Sequence, residues 1–432
     1  MRETSADFWK AYYDKDLGSY RISSLEINTK NKEKIIFDDE MLDKYINAAD
    51  NIFTQSSGGN AFPYGKVILD TLQLELWNGD MKWTYIPLAD AKIKVSVECE
   101  DSAENKTVFE LGEFIVVNLE ADNGYQTLQL SRAYANKTRP PWDDYKNNNL
   151  ALAIEDVIIK TCDYLGVEIE TELSELLENQ TLTKEIFNNP PLAINLPWLN
   201  TQLADKMESA IDVLEVCAAT LGVCFKIGIN NALSLYSFDK PQISYFINDG
   251  GNLDDFETPK YLSGDQADGG RFADYNNRES DSFTFLESRK IHFINSDLII
   301  NLSYSEQVEI MTLTKKTYNY FSKSDGDAVE VSNSVGDETG RYALDVSNTF
   351  DQFTAIGNPL EFQKNYLERL KNKIGIRFIP FECDVVGNIA YDVGDLIIIQ
   401  DVNGHAFLSF IGEVSTVLCG YTTIKLEKPK EL

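Results

Sequence analysis

The chain has 432 residues, 43% of them hydrophobic, and it carries 69 Asp and Glu against 39 Lys and Arg, for a net charge of −30. The apolar content supports a folded core and excludes a globally disordered chain, and the length suits roughly three domains of ~150 residues. Because phosphate backbones are bound by clustered cations, the charge argues against a nucleic-acid-binding surface. The acid excess either keeps a large protein soluble or lines a channel through which a polyanion passes without sticking.

The cysteines and the N-terminus indicate the compartment in which the chain is made. Six cysteines are scattered without C-x-x-C spacing, and Cys162 and Cys217 fall on apolar helix faces, where a thiol packs as a small hydrophobe. The charged stretch 1–16 lacks the apolar segment of a signal peptide, and no apolar run approaches the ~20 residues that span a bilayer. We therefore predict free thiols, synthesis in a cytoplasm and no membrane association.

Residues 1–142 are predicted to form a first β-barrel domain. Ser5 is placed to cap a short amphipathic helix over 5–15. Alternating apolar and polar residues predict strands at 20–28, 66–78, 91–98, 109–118 and 125–132. The alternation is imperfect in the first of these strands and slips once in the second. Short strands separated by turn signals are typical of a barrel or a sandwich, and Pro140-Pro141 ends the pattern.

Residues 143–240 are predicted to form a small α/β domain built from two similar units. In each unit an amphipathic helix ends at a glycine suited to the left-handed conformation and leads directly into a strand. The first helix, at 153–159, precedes Gly166, and the second, at 210–216, precedes Gly222. Two units of similar composition favour an internal duplication.

A polar region of strands and loops is predicted at 241–290, followed by a second β-barrel domain at 291–432 that is interrupted by a flexible polar loop at 322–340. Strands are predicted at 298–302 and 307–320 on either side of a short gap.

The last eighty residues contain the clearest local signals. Asn358 and Pro359 suit the N-cap and first position of a helix over 360–373, which a strand follows at 374–380. A buried strand at Leu396–Gln400 is predicted to return over 405–413 through an Asn-Gly turn.

No constellation of residues commits the chain to catalysis. His292 and His405 are isolated, and no nucleophile-elbow motif accompanies them. The adjacent acids Asp143-Asp144 and Asp254-Asp255 are typical of solvated loops, and EF-hand, phosphate-binding and dinucleotide-binding patterns are missing from the sequence. We therefore predict no catalytic, cofactor-binding or metal-binding residue and no cofactor.

Three short stretches and the order of the predicted elements carry a resemblance to a known family. The stretches are Phe109-Glu110-Leu111-Gly112-Glu113-Phe114-Ile115-Val116, Ile356-Gly357-Asn358-Pro359-Leu360 and Tyr391-Asp392-Val393-Gly394-Asp395-Leu396-Ile397-Ile398. With a barrel first, then helix–Gly–strand units and a variable polar region, the chain resembles the baseplate hub or tail-tip hub proteins of phage tails, prophages and phage-tail-like contractile bacteriocins (tailocins). The resemblance spans nearly the whole chain as an order of elements, is specific only in these stretches, and carries over no active-site residue.

The resemblance implies a structural protein of α+β, mainly β, fold, with two tube-protein-like β-barrel domains joined by small α/β domains. It implies a homotrimeric ring whose six barrels match the sixfold tail tube subunits above to a threefold spike or fibre protein below. It further implies that the chain is made in a bacterial cytoplasm and assembled into a virion or tail-like particle. DNA would pass an acidic channel of the ring without stable nucleic-acid binding. The polar stretches at 241–290 and 322–340 match no motif of the family.

Two other classes of function stay open at this point. A receptor- or carbohydrate-binding β-rich module of a tail tip would expose a patch at a loop cluster, and a carboxylate-pair glycosidase would need two carboxylates roughly 5–10 Å apart beside a stacking ring. We single out the loops at 78–83 and 325–339 as candidate segments of an interface with a neighbouring subunit or protein. Trp77 and Trp83 are candidate anchors for a neighbour, because aromatic residues dominate interface cores, although Trp77 equally suits packing inside its own barrel.

Overall fold

A computed structural model of the chain describes part of the sequence. The described residues are 5–47, 51–56, 65–122, 124–132, 151–182, 193–195, 209–229, 231–236, 291–294, 296–304, 308–309, 312–319, 329–336, 343–345, 367–368, 377–378, 381–400, 406–426 and 430–431.

The first part of the chain forms what we call the first β-region. Its helices are α1 (Ala6–Tyr13) and α2 (Asp39–Tyr45), and its strands are β1 (Arg21–Asn28), β2 (Lys34–Ile36), β3 (Ile52–Ser56), β4 (Val67–Trp77), β5 (Lys92–Glu100), β6 (Lys106–Asp122) and β7 (Tyr125–Arg132). The middle part forms the α/β region, with β8 (Ala151–Ala153), α3 (Ile154–Leu165), β9 (Glu168–Ile169), α4 (Thr171–Glu178), β10 (Ala193–Asn195), α5 (Ala210–Leu221), β11 (Cys224–Ile227) and β12 (Ala232–Tyr236).

The remaining strands lie in the last third of the chain. They are β13 (Ile291–Ile294), β14 (Ile299–Tyr304), β15 (Val308–Glu309), β16 (Thr312–Asn319), β17 (Val329–Gly336), β18 (Ala343–Asp345), β19 (Arg377–Phe378), β20 (Phe381–Val386), β21 (Leu396–Gln400), β22 (Ala406–Val417), β23 (Tyr421–Leu426) and β24 (Lys430–Glu431). We call β13, β14 and β20–β23 the second β-region. These elements make the fold α+β and mainly β, as the sequence predicts.

The local signals of the sequence account for the ends of the helices. The Ser5 side chain accepts a hydrogen bond from the Phe8 N–H at 3.1 Å, which confirms the predicted cap of α1. Helices α3 and α5 end at Gly166 and Gly222, whose φ angles of 71° and 63° place both in the left-handed region. Each of these helices leads into a strand, which confirms the two predicted helix–Gly–strand units.

The irregularities of the strand patterns also have structural causes. A β-bulge between Ile22 and Ser24 shifts the register of β1 against β5, which explains the imperfect alternation there. The slip in β4 arises because this strand contributes to three cores. Val67 packs in the core of the α/β region, Ile68 in that of the second β-region and Leu72 in that of the first.

Eleven of the described strands of the two β-regions form one continuous antiparallel ribbon, while β13 and β21, which pair in parallel, lie outside it. Its strand order is β2-β1-β5-β6-β7-β4-β3-β22-β23-β20-β14, and every neighbouring pair is antiparallel. The pairing of β3 with β22, which we call the seam, joins the regions through four residue pairs, from Gln55 opposite Val414 to Ile52 opposite Val417. The α/β region attaches to the same ribbon, because β11 pairs in parallel with β4.

Some sequence expectations need correction. The stretch 322–340, predicted as a flexible loop, contains strand β17, which pairs with β16 over eight residue pairs. Alternating valines at 329, 331 and 335 with polar residues between them are the strand pattern that the polar composition concealed. The strand predicted at 298–302 begins at Ile299, after a 3-10 turn over Ser296–Leu298. Nearly all of the predicted helix at 360–373, the turn at 401–404 and the region 241–290 lie outside the described residues, and the domain boundaries stay predictions.

Candidate functional site

The segment 387–395, between β20 and β21, contains the Tyr-Asp-Val-Gly-Asp motif and is buried. Ile389 packs in the core of the first β-region, whereas Tyr391 and Val393 pack in that of the second. A Cβ added at Gly387 would lie 2.6 Å from the carbonyl oxygen of Gly420, so glycine is needed for this close approach. We call this segment and the side chains that contact it the junction. The motif therefore lies where the two β-regions meet.

A buried ion pair lies on the first β-region's side of the junction. The guanidinium of Arg132 donates to the Asp70 carboxylate through Nε, at 3.2 Å, and through Nη2, and both side chains are at most 2% exposed. The Gln55 amide donates to Asp70 at 2.9 Å and accepts from the Val393 N–H at 3.2 Å. The Gln55 side chain thus links the ion pair of one β-region to the backbone of the other.

The backbone around Arg132 is shaped to accommodate its side chain. Gly112, on β6, has a φ of +83°, and a Cβ there would lie 2.8 Å from Nη1 of Arg132. The guanidinium also lies 4.3 Å from the centre of the Phe114 ring. The Phe-x-Leu-Gly-x-Phe stretch that contributed to the resemblance therefore accommodates this side chain.

A second buried ion pair joins the α/β region to the junction. Lys226, on β11, is 3% exposed, and its ammonium contacts the carboxylate of Asp392. Burial alone raises the pKa of Asp392, but the positive charge of Lys226 opposes this effect and holds the pKa well below its usual range. The carboxylate is therefore ionised at neutral pH.

Helix α1 completes the junction from outside. The Tyr391 hydroxyl donates to the Tyr12 hydroxyl at 3.1 Å, and the latter donates to the Val386 carbonyl at 3.1 Å. The Trp9 ring lies 4.8 Å from the imidazole of His292, centre to centre. His292 in turn contacts Asp395 at 3.1 Å between Nε2 and Oδ2, and both side chains are buried.

This arrangement holds parts together rather than presenting reactive groups. His292 is covered by an aromatic ring and paired with a carboxylate. Burial raises the pKa of Cys99 to about 11 and those of Cys162 and Cys383 to about 12, so these thiols stay protonated and poorly nucleophilic. Within the described ranges, no group of three or more His, Cys, Asp or Glu side chains is placed to hold a metal ion. In the same part of the chain, no helix is both long and apolar enough to cross a membrane.

The predicted interface residues in the loop 78–83 divide into buried and exposed ones. Trp83 is fully buried and stacks on Phe37 with ring centres 5.3 Å apart, so its assignment as an exposed anchor is wrong. The Asn78 side chain accepts the backbone N–H of Trp83 at 2.8 Å and fixes the turn that directs the ring into the core. Met81 and Tyr85, which are 52% and 81% exposed, present the apolar surface of this loop instead.

Other residues singled out in the sequence lie outside the described part of the chain. They are Asp143, Asp144, Asp254, Asp255, Asn358, Pro359, His405 and both ends of the loop 325–339, at 325–328 and 337–339. Trp77 is partly buried and packs against the core of the first β-region.

The ion pairs of the junction were not predicted from the sequence, although one charged residue of each pair stands out within an apolar strand. Asp70 follows Val-Ile-Leu in β4, and Lys226 stands between Phe225 and Ile227 in β11. A single charge inside an apolar strand is rarely buried unless it is paired. Two such charges therefore indicated partners elsewhere in the chain, without identifying them.

Comparisons with known proteins give similarity at the level of solved structures. No family model and no curated protein sequence matches the chain. One similar structure is the 43 kDa tail protein of prophage MuSo2 from Shewanella oneidensis, with 12% identity, a TM-score of 0.48 and coverage of 94% of this chain and 98% of the other. Another is the prophage tail protein gp18 from Listeria monocytogenes EGD-e, with 10% identity, a TM-score of 0.41 and coverage of 93% and 94%.

A third similar structure comes from the phage P2 baseplate in its activated conformation with Ca. Its identity to this chain is 12%, its TM-score is 0.30, and the match covers 94% of this chain and 98% of the other. These three similar structures are thus of phage or prophage tail and baseplate proteins.

Proposed function

We propose that the chain is a structural hub subunit of a phage tail or tail-like particle and catalyses no reaction. Three copies form a ring that matches a sixfold tail tube to a threefold spike or fibre. The observation that carries this proposal is the continuous antiparallel ribbon, in which one chain supplies two β-regions side by side. Three such chains offer six β-regions, and a closed threefold ring is an ordinary form of homo-oligomer.

The buried ion pairs support the proposal because a symmetry adaptor needs a fixed geometry. Buried charges contribute little net stability, but they oppose any arrangement that leaves a partner unpaired. Gln55 of the first β-region bonds to the Val393 backbone, and Lys226 of the α/β region pairs with Asp392, so both side chains hold the junction in the observed arrangement. The two β-regions would therefore enter a ring as one rigid unit.

The acid excess supports the same function for a DNA-carrying particle. With 69 acidic against 39 basic side chains, an open ring would present an acidic surface along which DNA slides. Synthesis in a bacterial cytoplasm and assembly into the particle complete the proposal. The parent particle contains the tube subunits above this ring and the spike or fibre protein below it.

The test combines the mass of the isolated chain with its copy number in particles. Light scattering followed by particle imaging should give a trimer with six densities around an open channel, or a monomer that trimerises when tube or spike protein is added. Quantitative mass spectrometry of purified particles should give three copies for every six tube subunits in one ring. Absence from the particles, or a copy number that is not a multiple of three, would refute the proposal.

A further inference from the structure

Helix α1 is attached to the first β-region by the residues that follow it. Leu17 forms a bridge with Asp101, and the Gly18 N–H donates to the carbonyl of Glu100 at 2.8 Å. Phe8 packs in the core of the same region, with its ring 5.3 Å from that of Phe109. One side of the helix therefore belongs to the first β-region.

The other side of α1 reaches the second β-region. Tyr12 is fully buried in the core of that region, and its hydroxyl is held between Tyr391 and the carbonyl of Val386. Trp9 packs against both cores and covers His292. These contacts join residues that are separated by more than 280 positions in the sequence.

The seam by itself does not fix the angle between the two β-regions. It consists of four residue pairs of one antiparallel strand pair, and the twist between neighbouring strands varies over a range of roughly 10–35° at small cost. Backbone hydrogen bonds of a ladder resist sliding more strongly than twisting. The segment 387–395, through Ile389 and Val393, and helix α1 each contact both cores and can select one angle. Of these two, α1 contacts both cores from a single short helix near the start of the chain.

We infer that α1 is a strap that sets the angle between the two β-regions, with the seam as the hinge. Trp9 and Tyr12 are the residues through which this strap is attached to the second β-region. When they are removed, the two regions twist about β3 and β22 while each keeps its own fold. The inference concerns the isolated chain and holds whether or not the chain forms a ring.

Hydrogen–deuterium exchange on the isolated full chain tests the strap. The double variant Trp9→Ala/Tyr12→Ala should raise exchange of the β3 and β22 amides at the seam about tenfold or more, while the amides of β5 and β6 in the first region and of β20 and β23 in the second stay within about twofold of the wild type. Lys10→Ala, on the exposed side of the same helix, is the matched control and should change none of these sets. Equal exchange at the seam, or a rise of similar size in β5 and β6, would overturn the inference. A comparable rise in β20 and β23 would show loss of the second core rather than twisting, and would also overturn the inference.

A milder variant keeps the test decisive if the double variant fails to fold. Tyr12→Phe removes only the hydroxyl that lies between Tyr391 and Val386 and retains the buried ring. We expect the exchange rate of the seam amides to rise about fivefold, because the loss of two hydrogen bonds weakens the attachment of α1 to the second β-region. An unchanged exchange rate at the seam in this variant would show that α1 only fills space in the two cores and does not set the angle between the regions.

Discussion

Replacing Arg132 by methionine should strongly destabilise the fold, because it leaves the Asp70 carboxylate buried without its cation. Asp70 is fully buried and would keep only the Gln55 amide, which donates to it at 2.9 Å. Breaking a buried pair by removing one partner costs about 3–5 kcal/mol. The surviving hydrogen bond to a charged group offsets part of this cost, so we expect a loss near the lower end, ~3 kcal/mol.

The assay is urea unfolding followed by circular dichroism, with a double-mutant cycle through Asp70→Asn. The neutral amide of Asn at position 70 can still accept from Gln55 and needs no cation, so Arg132→Met/Asp70→Asn should recover about 2 kcal/mol relative to Arg132→Met alone. Lys92→Met is the control, because Lys92 pairs with Glu113 at the surface, where an ion pair contributes ~0–1 kcal/mol. A loss below ~1 kcal/mol for Arg132→Met, or no recovery in the double variant, would refute the reasoning.

Three further outcomes are expected. Lys226→Met should cost ~1.5–3 kcal/mol near neutral pH, because it removes the charge-assisted hydrogen bond to Asp392. The folded-state pKa of Asp392 is lowered, so the stabilisation from its ion pair is fully present above the unfolded value of 3.8 and is lost as the pH falls below it. The cost of Lys226→Met, measured from urea midpoints, should therefore shrink as the pH is lowered towards about 3, and a cost independent of pH would contradict this. In thiol titration with a disulfide reagent, the native chain should react rapidly at Cys419, its one exposed cysteine, and the remaining five only after unfolding. Ser209→Ala should cost ~1 kcal/mol in a thermal or urea scan, since it removes a capping box in which Ser209 and Asp212 each accept the other's N–H, and a neutral result would contradict that role.

Local chemistry was sufficient to predict much of the secondary structure. A serine before an amphipathic stretch placed the start of α1, and Gly166 and Gly222 placed the ends of α3 and α5, because these signals act within a few residues of the chain. The buried strand at Leu396–Gln400 was predicted with its observed bounds from an apolar run between turn signals. Trp83 shows the limit of this reasoning, since a sequence shows that a tryptophan is present but not which side of a turn it occupies.

Only the tertiary structure decided how these elements combine. The seam pairs residues 52–55 with residues 414–417, and nothing in either strand's own pattern identifies its partner at that distance. The three cores that share β4, the ion pairs of the junction and the position of α1 across it depend on the same long-range contacts. The sequence by itself thus determined many of the helices and strands, because propensity and capping are local, although it missed β17. The contacts that join two β-regions into one unit were decided by tertiary packing, because the partners of the buried charges lie 62 and 166 positions away and the partner of β3 lies more than 350 positions away.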